Sequence, residues 1–357
     1  MILVFNPGSS SLKYKIYDKD LTEVGSGSVA NIGSSSIKNH TEATKKLCSE
    51  IKNLKLQIDV IGYRVVHGGG LLENGSIADD KNIKVLVDHS GLAPLHNPQA
   101  LQVIQTTEPY FGKAKHLMFF DTDFFKSLPE EESTYPLPIE IAKENNIKRF
   151  GFHGISHKYV MAQVDPTGKE NLITIHLGAG CSITAISSGK AIAHSLGFTP
   201  DEGLIMQTRS GDIDPGIIFF LVEKYGIEIA KKIIEKESGL SGMTGTDGNM
   251  LNVLYLAKEK IEDPDFQSQV SRTEDNEKQA KLALKIYVRR IQKYIAYYAL
   301  LLGHVDKLVF TGNIGYGSSV IRDMVTERLE SLPIDEFVRI KPDEEKAIAT
   351  EIWQKHI

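Results

Sequence analysis

The feature that most constrains this chain is a strand–turn–strand unit that occurs once in each half. Ile2-Leu3-Val4-Phe5 is a short apolar run of the kind that forms a buried strand, and Tyr14-Lys15-Ile16-Tyr17 alternates as its returning partner. Between them lies Asn6-Pro7-Gly8-Ser9-Ser10-Ser11-Leu12-Lys13, a turn rich in Gly and Ser that ends on a cation. The layout returns at 172–190. Leu172-Ile173-Thr174-Ile175 is the strand, His176-Leu177-Gly178-Ala179-Gly180 the turn and Ser182 to Ile186 the returning strand. Ser188-Gly189 then turns into Lys190 to His194. Two such units predict an internal duplication. Strands alternating with helical segments predict α/β layers.

Lys307-Leu308-Val309-Phe310-Thr311-Gly312-Asn313-Ile314-Gly315 predicts a third strand followed by a Gly turn, with a helix from about Ser318 to Leu329. Apolar residues recur at helical spacing through Glu277–Leu302, and a last helix is expected over Asp343–His356, with Pro342 before it and acidic residues in its first turn. The polar stretch Lys258–Asn276 reads as a surface excursion. One Gly/Ser turn is ordinary hairpin chemistry. Three, each directly after an apolar strand, point to phosphate, because backbone N–H groups in such bends can cradle its oxygens. There is no GxxxxGK[ST] run, so this is not a P-loop chain.

The length of 357 residues suits two domains. A net charge of -5 argues against a general nucleic-acid binder. The two cysteines, Cys48 and Cys181, form no disulfide framework and no zinc pattern, which fits a reducing, cytoplasmic setting. No signal peptide is expected, since no basic residue precedes the short apolar run at Ile2–Phe5. The apolar stretch near Tyr294–Leu302 is too short to span a bilayer, so no membrane is expected either.

Four charged groupings add chemistry. Arg64 follows the run Val60-Ile61-Gly62-Tyr63 and precedes a Gly cluster at 68–70, where its fork of donors could meet a planar anion or make a structural ion pair. Asp121 ends the apolar run Met118-Phe119-Phe120, a position for a metal-holding or catalytic carboxylate or for a cap. His153 sits between glycines and aromatic rings, and His157 four residues on would share a helical face with it; no HExxH carboxylate accompanies them, so zinc is not expected. Thr208-Arg209-Ser210-Gly211-Asp212-Ile213-Asp214-Pro215-Gly216 offers a second Arg to neutralise a phosphoryl group in flight.

Together these motifs resemble the acetate kinase family, within the sugar kinase/actin/heat-shock ATPase group. The opening turn is similar to the family's N-A/P-G-S-S-S-x-K signature. Tyr63-Arg64-Val65-Val66-His67-Gly68-Gly69, Leu92-Ala93-Pro94-Leu95-His96-Asn97-Pro98, Phe120-Asp121-Thr122, Gly151-Phe152-His153-Gly154 and Thr208–Pro215 match family blocks in the same order. The resemblance implies an α/β fold of two duplicated actin-like (ribonuclease H-like) domains with an interdomain cleft. The expected division is 1–120 plus about 346–357, and 121–345 on the nucleotide side with a dimer interface. It implies reversible phosphoryl transfer from ATP to a short carboxylate, acetate first with propionate or butyrate as alternatives, in a homodimer. Mg²⁺ is implied, with Mn²⁺ as an alternative. By position in the motifs, Asn6 and Glu344 would organise the metal. Ser9, Ser11 and Lys13 would meet phosphate oxygens. Arg64 and Arg209 would grip the carboxylate and the transferring group with Asp121 holding them, and His153 would stabilise the transition state. Val66, Leu95, Phe152 and Pro200 would enclose the acyl methyl. His176, Gly178, Gly180, Asp247, Gly312, Asn313 and Gly315 would line the phosphate and nucleotide path.

Departures from the family pattern gather on the donor side. Ala179 stands where the family has Asn, Gly248-Asn249 follow Asp247 where an Arg is usual, and Asn313 replaces a Gly next to the expected adenine, where a side chain would obstruct the ring. Tyr316 replaces a Glu, the chain is short between Asp18 and Arg64, and the 258–276 stretch is extra. These differences leave another donor, pyrophosphate included, as a second expectation, and a non-catalytic binding protein as a third.

Overall fold

The computed structural model describes residues 1–93, 96–268 and 270–356. The chain divides into two compact units. The first comprises 1–126, 152–159 and the stretch from Asp343 onward; the second comprises 127–151 and 160–342.

The first unit is built on a sheet of six strands: β1 (Ile2–Pro7), β2 (Leu12–Tyr17), β3 (Glu23–Val29), β4 (Val60–Val65), β5 (Ser76–Ile77) and β6 (Lys115–Phe120), in the order β3-β2-β1-β4-β6-β5. β1, β2 and β3 form an antiparallel meander, and β4 and β6 then run parallel to β1. All six residues of β1 are buried because both faces of the sheet are covered. Leu3 and Phe5 pack with Leu47 and Ile51 of the helix His40–Asn53 and with Val103 of Asn97–Phe111. Ile2 and Val4 point the other way, onto Ile348, Ala349 and Ile352 of the C-terminal helix Glu344–His356. Gly62 makes that second contact possible, since a Cβ there would lie 2.6 Å from Ile348. Truncating Ile352 to Ala would cost about 2–5 kcal/mol, the usual range for a buried aliphatic side chain.

The second unit repeats the plan. β7 (Leu172–Leu177), β8 (Cys181–Ser187), β9 (Lys190–His194), β10 (Val305–Thr311) and β11 (Ile334–Arg339) lie in the order β11-β10-β7-β8-β9. Again a meander comes first, and two strands parallel to its first member follow. The expected duplication is therefore present as the same topology drawn twice, the duplicated actin-like fold. The helix predicted from Glu277 begins at Glu274, because Thr273 and Asn276 form a reciprocal capping box. The third predicted Gly turn is a strand-to-helix turn: after β10 the chain enters a short helix, Gly312–Gly317, and then the helix Ser319–Thr326 capped by Ser318. Among the described residues no helix is long and apolar enough to cross a membrane.

Candidate functional site

In the first unit the chemistry collects at one end of the sheet. The antiparallel register pairs Asn6 with Lys13 and Pro7 with Leu12, which leaves Gly8–Ser11 as the turn, closed by Gly8 N–H donating to Ser11 O at 2.8 Å. Ser9 and Lys13 are exposed and Ser11 is half-buried, so the three side chains expected to meet phosphate can reach a ligand.

Arg64, on β4, and Asp121, just beyond β6, are neighbours because those strands run parallel. Arg64 donates through Nε to both Asp121 oxygens, at 3.2 and 3.3 Å, and through Nη2 to Oδ2 at 2.8 Å. Its Nη1 donates to Asn6 Oδ1 at 3.1 Å. Asn6 in turn donates through Nδ2 to Glu345 Oε1 at 2.7 Å and Glu344 Oε2 at 3.3 Å. Asp343 accepts from Lys346 N–H at the start of the C-terminal helix and also holds Lys15 of β2 at 2.9 Å, so the first turn carrying both glutamates is fixed beside β1. Glu345 has no counterpart among the predicted site residues; its only sequence signal is the acidic pair in that turn.

Burial sets the electrostatics. It pushes the Asp121 carboxyl up from its usual value, the Arg64 guanidinium pulls it back, and Glu344 adds to the upward push. Burial works against the charge on Arg64 too, but Asp121 and the two glutamates outweigh it and hold the guanidinium firmly protonated. The Glu345 carboxyl is raised, first by burial and then by Glu344, with the Asn6 amide opposing. Asp121, Glu344 and Glu345 carry three formal negative charges against the one positive charge of Arg64. That excess, presented on hard oxygen ligands, suits a divalent cation such as Mg²⁺.

Gly154 N–H donates to Asp121 O at 2.9 Å, and a Cβ on Gly154 would lie 2.2 Å from that oxygen. Only glycine lets the chain approach so closely. The preceding residue, His153, has φ 59°, a left-handed conformation that costs a non-glycine residue about 1–3 kcal/mol and is typical of functional positions. His153 therefore precedes the helix Gly154–Val164 and does not share a helical face with His157, contrary to the sequence expectation. His157 is buried with its ring edge-on to Phe125. Val66 and Phe152, expected at the acyl methyl, are both buried, and the Phe152 ring lies 5.7 Å from the His67 ring. Leu95 lies outside the described residues.

In the second unit, Gly178-Ala179-Gly180 closes β7 and β8, with Gly178 N–H donating to Gly180 O at 3.0 Å. His176 packs under it: a Cβ on Gly178 would lie 3.6 Å from His176 Nε2. Beside the turn is a cavity of about 480 Å³, whose lining includes Gly178, Leu240, Met250, Leu254, Asn313 and Ile314. Asn313 thus stands in the wall of an open cavity. Gly312 and Gly315 support that wall; a Cβ on Gly312 would lie 2.3 Å from Leu177 O. Asp247 does not line the cavity. Its carboxylate accepts from Asn249 N–H and Asn252 Nδ2, both at 3.0 Å, as a brace for the helix Met250–Ala257. Arg209 is oriented within this unit by Asp201 at 3.4 Å and by Pro200 O at 3.1 Å. Pro200, expected at the acyl methyl, meets Arg209 through its carbonyl.

Residues 1–352 match the acetokinase family. An acetate kinase of Sulfurovum sp. (strain NBC37-1) is 37% identical over 358 residues, covering 92% of this chain and 86% of the relative. The crystal structure of Porphyromonas gingivalis acetate kinase superposes with a TM-score of 0.83 at 31% identity over 98% of both chains. A propionate kinase from Francisella tularensis gives 0.85 at 31% identity, again over 98% of both. With that match over nearly the whole length, and relatives as similar as these, the chain belongs to the acetokinase family, kinases that transfer phosphate to a carboxylate.

Proposed function

We propose that this chain is an acetate kinase that moves the terminal phosphoryl group of ATP to acetate, reversibly, giving acetyl phosphate and ADP. The observation that carries the reading is the Arg64 fork on Asp121 with its remaining donor on Asn6, at the phosphate-type turn. Acetate, with a pKa near ~4–5, is already ionised at neutral pH, so no general base is required. The difficulty is bringing two anions together, which calls for fixed positive charge.

Each unit has its share. In the first, Arg64 grips the carboxylate, with Asp121 and Asn6 holding the guanidinium in place. Ser9, Ser11 and Lys13 offer donors to phosphate oxygens, and His153, at its strained position, stabilises charge in the transition state. Val66 and Phe152 shelter the methyl group. Asn6 and Glu344 would hold the divalent cation, Mg²⁺ or Mn²⁺, which supplies further positive charge to the phosphoryl oxygens. In the second unit, Arg209 neutralises the transferring group, the 178–180 turn with His176 takes donor phosphates, and the cavity of about 480 Å³ takes the nucleoside. A cavity of that size is in the usual range for a small-molecule site and favours a nucleotide over pyrophosphate.

A colorimetric assay for acyl phosphate, run with acetate, propionate and butyrate against ATP, other nucleotides and pyrophosphate, tests this. Acetyl phosphate from acetate and ATP is expected, with propionate weaker. One methylene is worth about 1–3 kcal/mol in such a pocket. Product with pyrophosphate alone would overturn the donor assignment, and no product with any pair would leave a binding protein.

The chain also supports assembly with a second copy of itself. The helix Pro215–Tyr225 buries none of its residues although it reads PGIIFFLVEKY, and Phe219 is 66% and Phe220 56% exposed. The next helix adds exposed Ile227 and Ile229. Adjacent exposed apolar residues on this scale mark an interface. Sedimentation should give a dimer, and Phe219→Glu should give a monomer; a monomeric wild type would contradict the assignment.

A further inference from the structure

We propose that His40 is a positioning residue for the phosphate turn, acting by holding the turn's carbonyl groups so that its N–H groups are presented to the ligand. This rests on reading Gly8–Ser11 as a phosphate-binding turn and adds the device that shapes it.

His40 is the first residue of the helix His40–Asn53 and is buried. Its Nε2 lies 2.8 Å from Gly8 O and 3.3 Å from Ser11 O. Carbonyl oxygens only accept, so Nε2 must carry the hydrogen and donate, chiefly to Gly8 O. A second donor comes from the same connection between β3 and that helix: Ile32 N–H reaches Ser10 O at 2.9 Å. Gly8 N–H closes the turn onto Ser11 O. Three of the four turn carbonyls therefore have assigned donors.

Peptide planarity turns this into an effect on the ligand side. In a trans peptide the C=O of one residue and the N–H of the next point in opposite directions. Fixing Gly8 O toward His40 aims Ser9 N–H away from it, and fixing Ser10 O toward Ile32 aims Ser11 N–H away likewise. No described protein group accepts from either N–H. Without the brace these planes can rotate, and a carbonyl turned toward phosphate would repel it. The brace is itself rigid. Asn39 caps the helix by accepting from Glu42 N–H at 3.0 Å, and Thr44 Oγ1 donates to His40 O at 2.6 Å.

The test compares His40→Leu, which removes the donor, with His40→Gln, whose amide nitrogen can occupy the place of Nε2. Ser11→Ala and Lys13→Ala serve as direct variants of the turn. Turnover is measured per site competent to bind ADP, so that unfolded protein does not count, and His40→Asn, a polar residue too short to reach, replaces the Leu variant if that one does not fold. Loss of one such orienting bond should lower kcat about tenfold, with KM for acetate and ADP affinity within about twofold of wild type, and the Gln variant should recover most of the loss. Full turnover in His40→Leu alongside impaired Ser11→Ala and Lys13→Ala would overturn the brace and leave the turn's role standing. Full turnover in all of them would overturn the reading of the turn and the brace with it. A loss that Gln does not recover would also overturn the brace, since a packing role alone would then account for it.

Discussion

The turns between β1 and β2 and between β7 and β8 hold the same place in two sheets of the same order, yet they offer opposite chemistry. The first is Gly-Ser-Ser-Ser, followed by Lys13 and flanked by Arg64, Asp121, Asn6 and two glutamates, so its resource is charge and directed donors. The second is Gly-Ala-Gly, with no side-chain donor of its own beyond the neighbouring His176, and its resource is space: it borders a cavity whose wall sets the apolar Leu240, Met250, Leu251, Leu254 and Ile314 among glycines and polar residues such as Gln207, Asn249 and Asn313. In the function proposed above, one duplicated scaffold separates two demands of the reaction. Stabilising a transferring phosphoryl group requires fixed charge, while holding a nucleoside requires shape and apolar surface.

The largest effects should fall on the two arginines, Arg64 beside the first turn and Arg209 in the second unit. Arg64→Ala and Arg209→Ala should each lower kcat by about 10²–10³ or more with the fold intact, as losing a transition-state donor does; near-normal turnover in either would remove that arginine from the mechanism. Gly154→Ala should come next. Its Cβ would lie 2.2 Å from Asp121 O, so the chain must shift, displacing the carboxylate that orients Arg64. A loss of about 1–3 kcal/mol in stability, typical of overpacking, should accompany a fall in turnover; an unchanged enzyme would show that the close approach does not matter.

Changes on the spacious side should be milder. Asn313→Gly should lower KM for ATP by less than about tenfold with kcat nearly unchanged, since it alters uniform binding only. A large rise in kcat would mean that Asn313 hinders the chemistry itself. Glu262→Ala should be smallest. Glu262 accepts from Ser319 N–H and from its hydroxyl, the latter at 2.7 Å, and these bonds hold its carboxyl below the usual value of 4.5. A lowered folded-state pKa stabilises above the unfolded value and loses that contribution as pH falls through the folded one. The variant should therefore melt about 1–2 °C lower near pH 7, with the gap closing below pH 4.5. A gap independent of pH would contradict an ionic origin.

What the sequence made legible follows from how local each signal is. The strand–turn–strand units are carried by alternation and by Gly/Ser within about 17 residues, and both appear as expected. Arg64 and Asp121 were legible as polar residues ending apolar strands. Glu345 and His40 were not. Glu345 meets Asn6 across 339 residues of chain and His40 meets Gly8 across 32, contacts that depend on how helices dock on the sheet. The orientation of Arg209 by Asp201 depends on a loop path. His153 misled because helical periodicity says nothing about a single residue with positive φ at the helix entrance. The early start of the helix Glu274–Leu302 was hidden because Asn276 takes the place in the capping box that Glu or Gln usually fills.

The division of labour between the two turns is tested most directly by measuring, on one preparation of Arg64→Ala, both its acetyl phosphate turnover and its ADP affinity by calorimetry. Turnover should fall by at least about 10²-fold while the dissociation constant for ADP stays within about twofold of wild type. Parallel loss of both, or loss of neither, would contradict a molecule in which the Arg64 cluster of the first unit serves the transfer step and the cavity of the second unit holds the nucleoside.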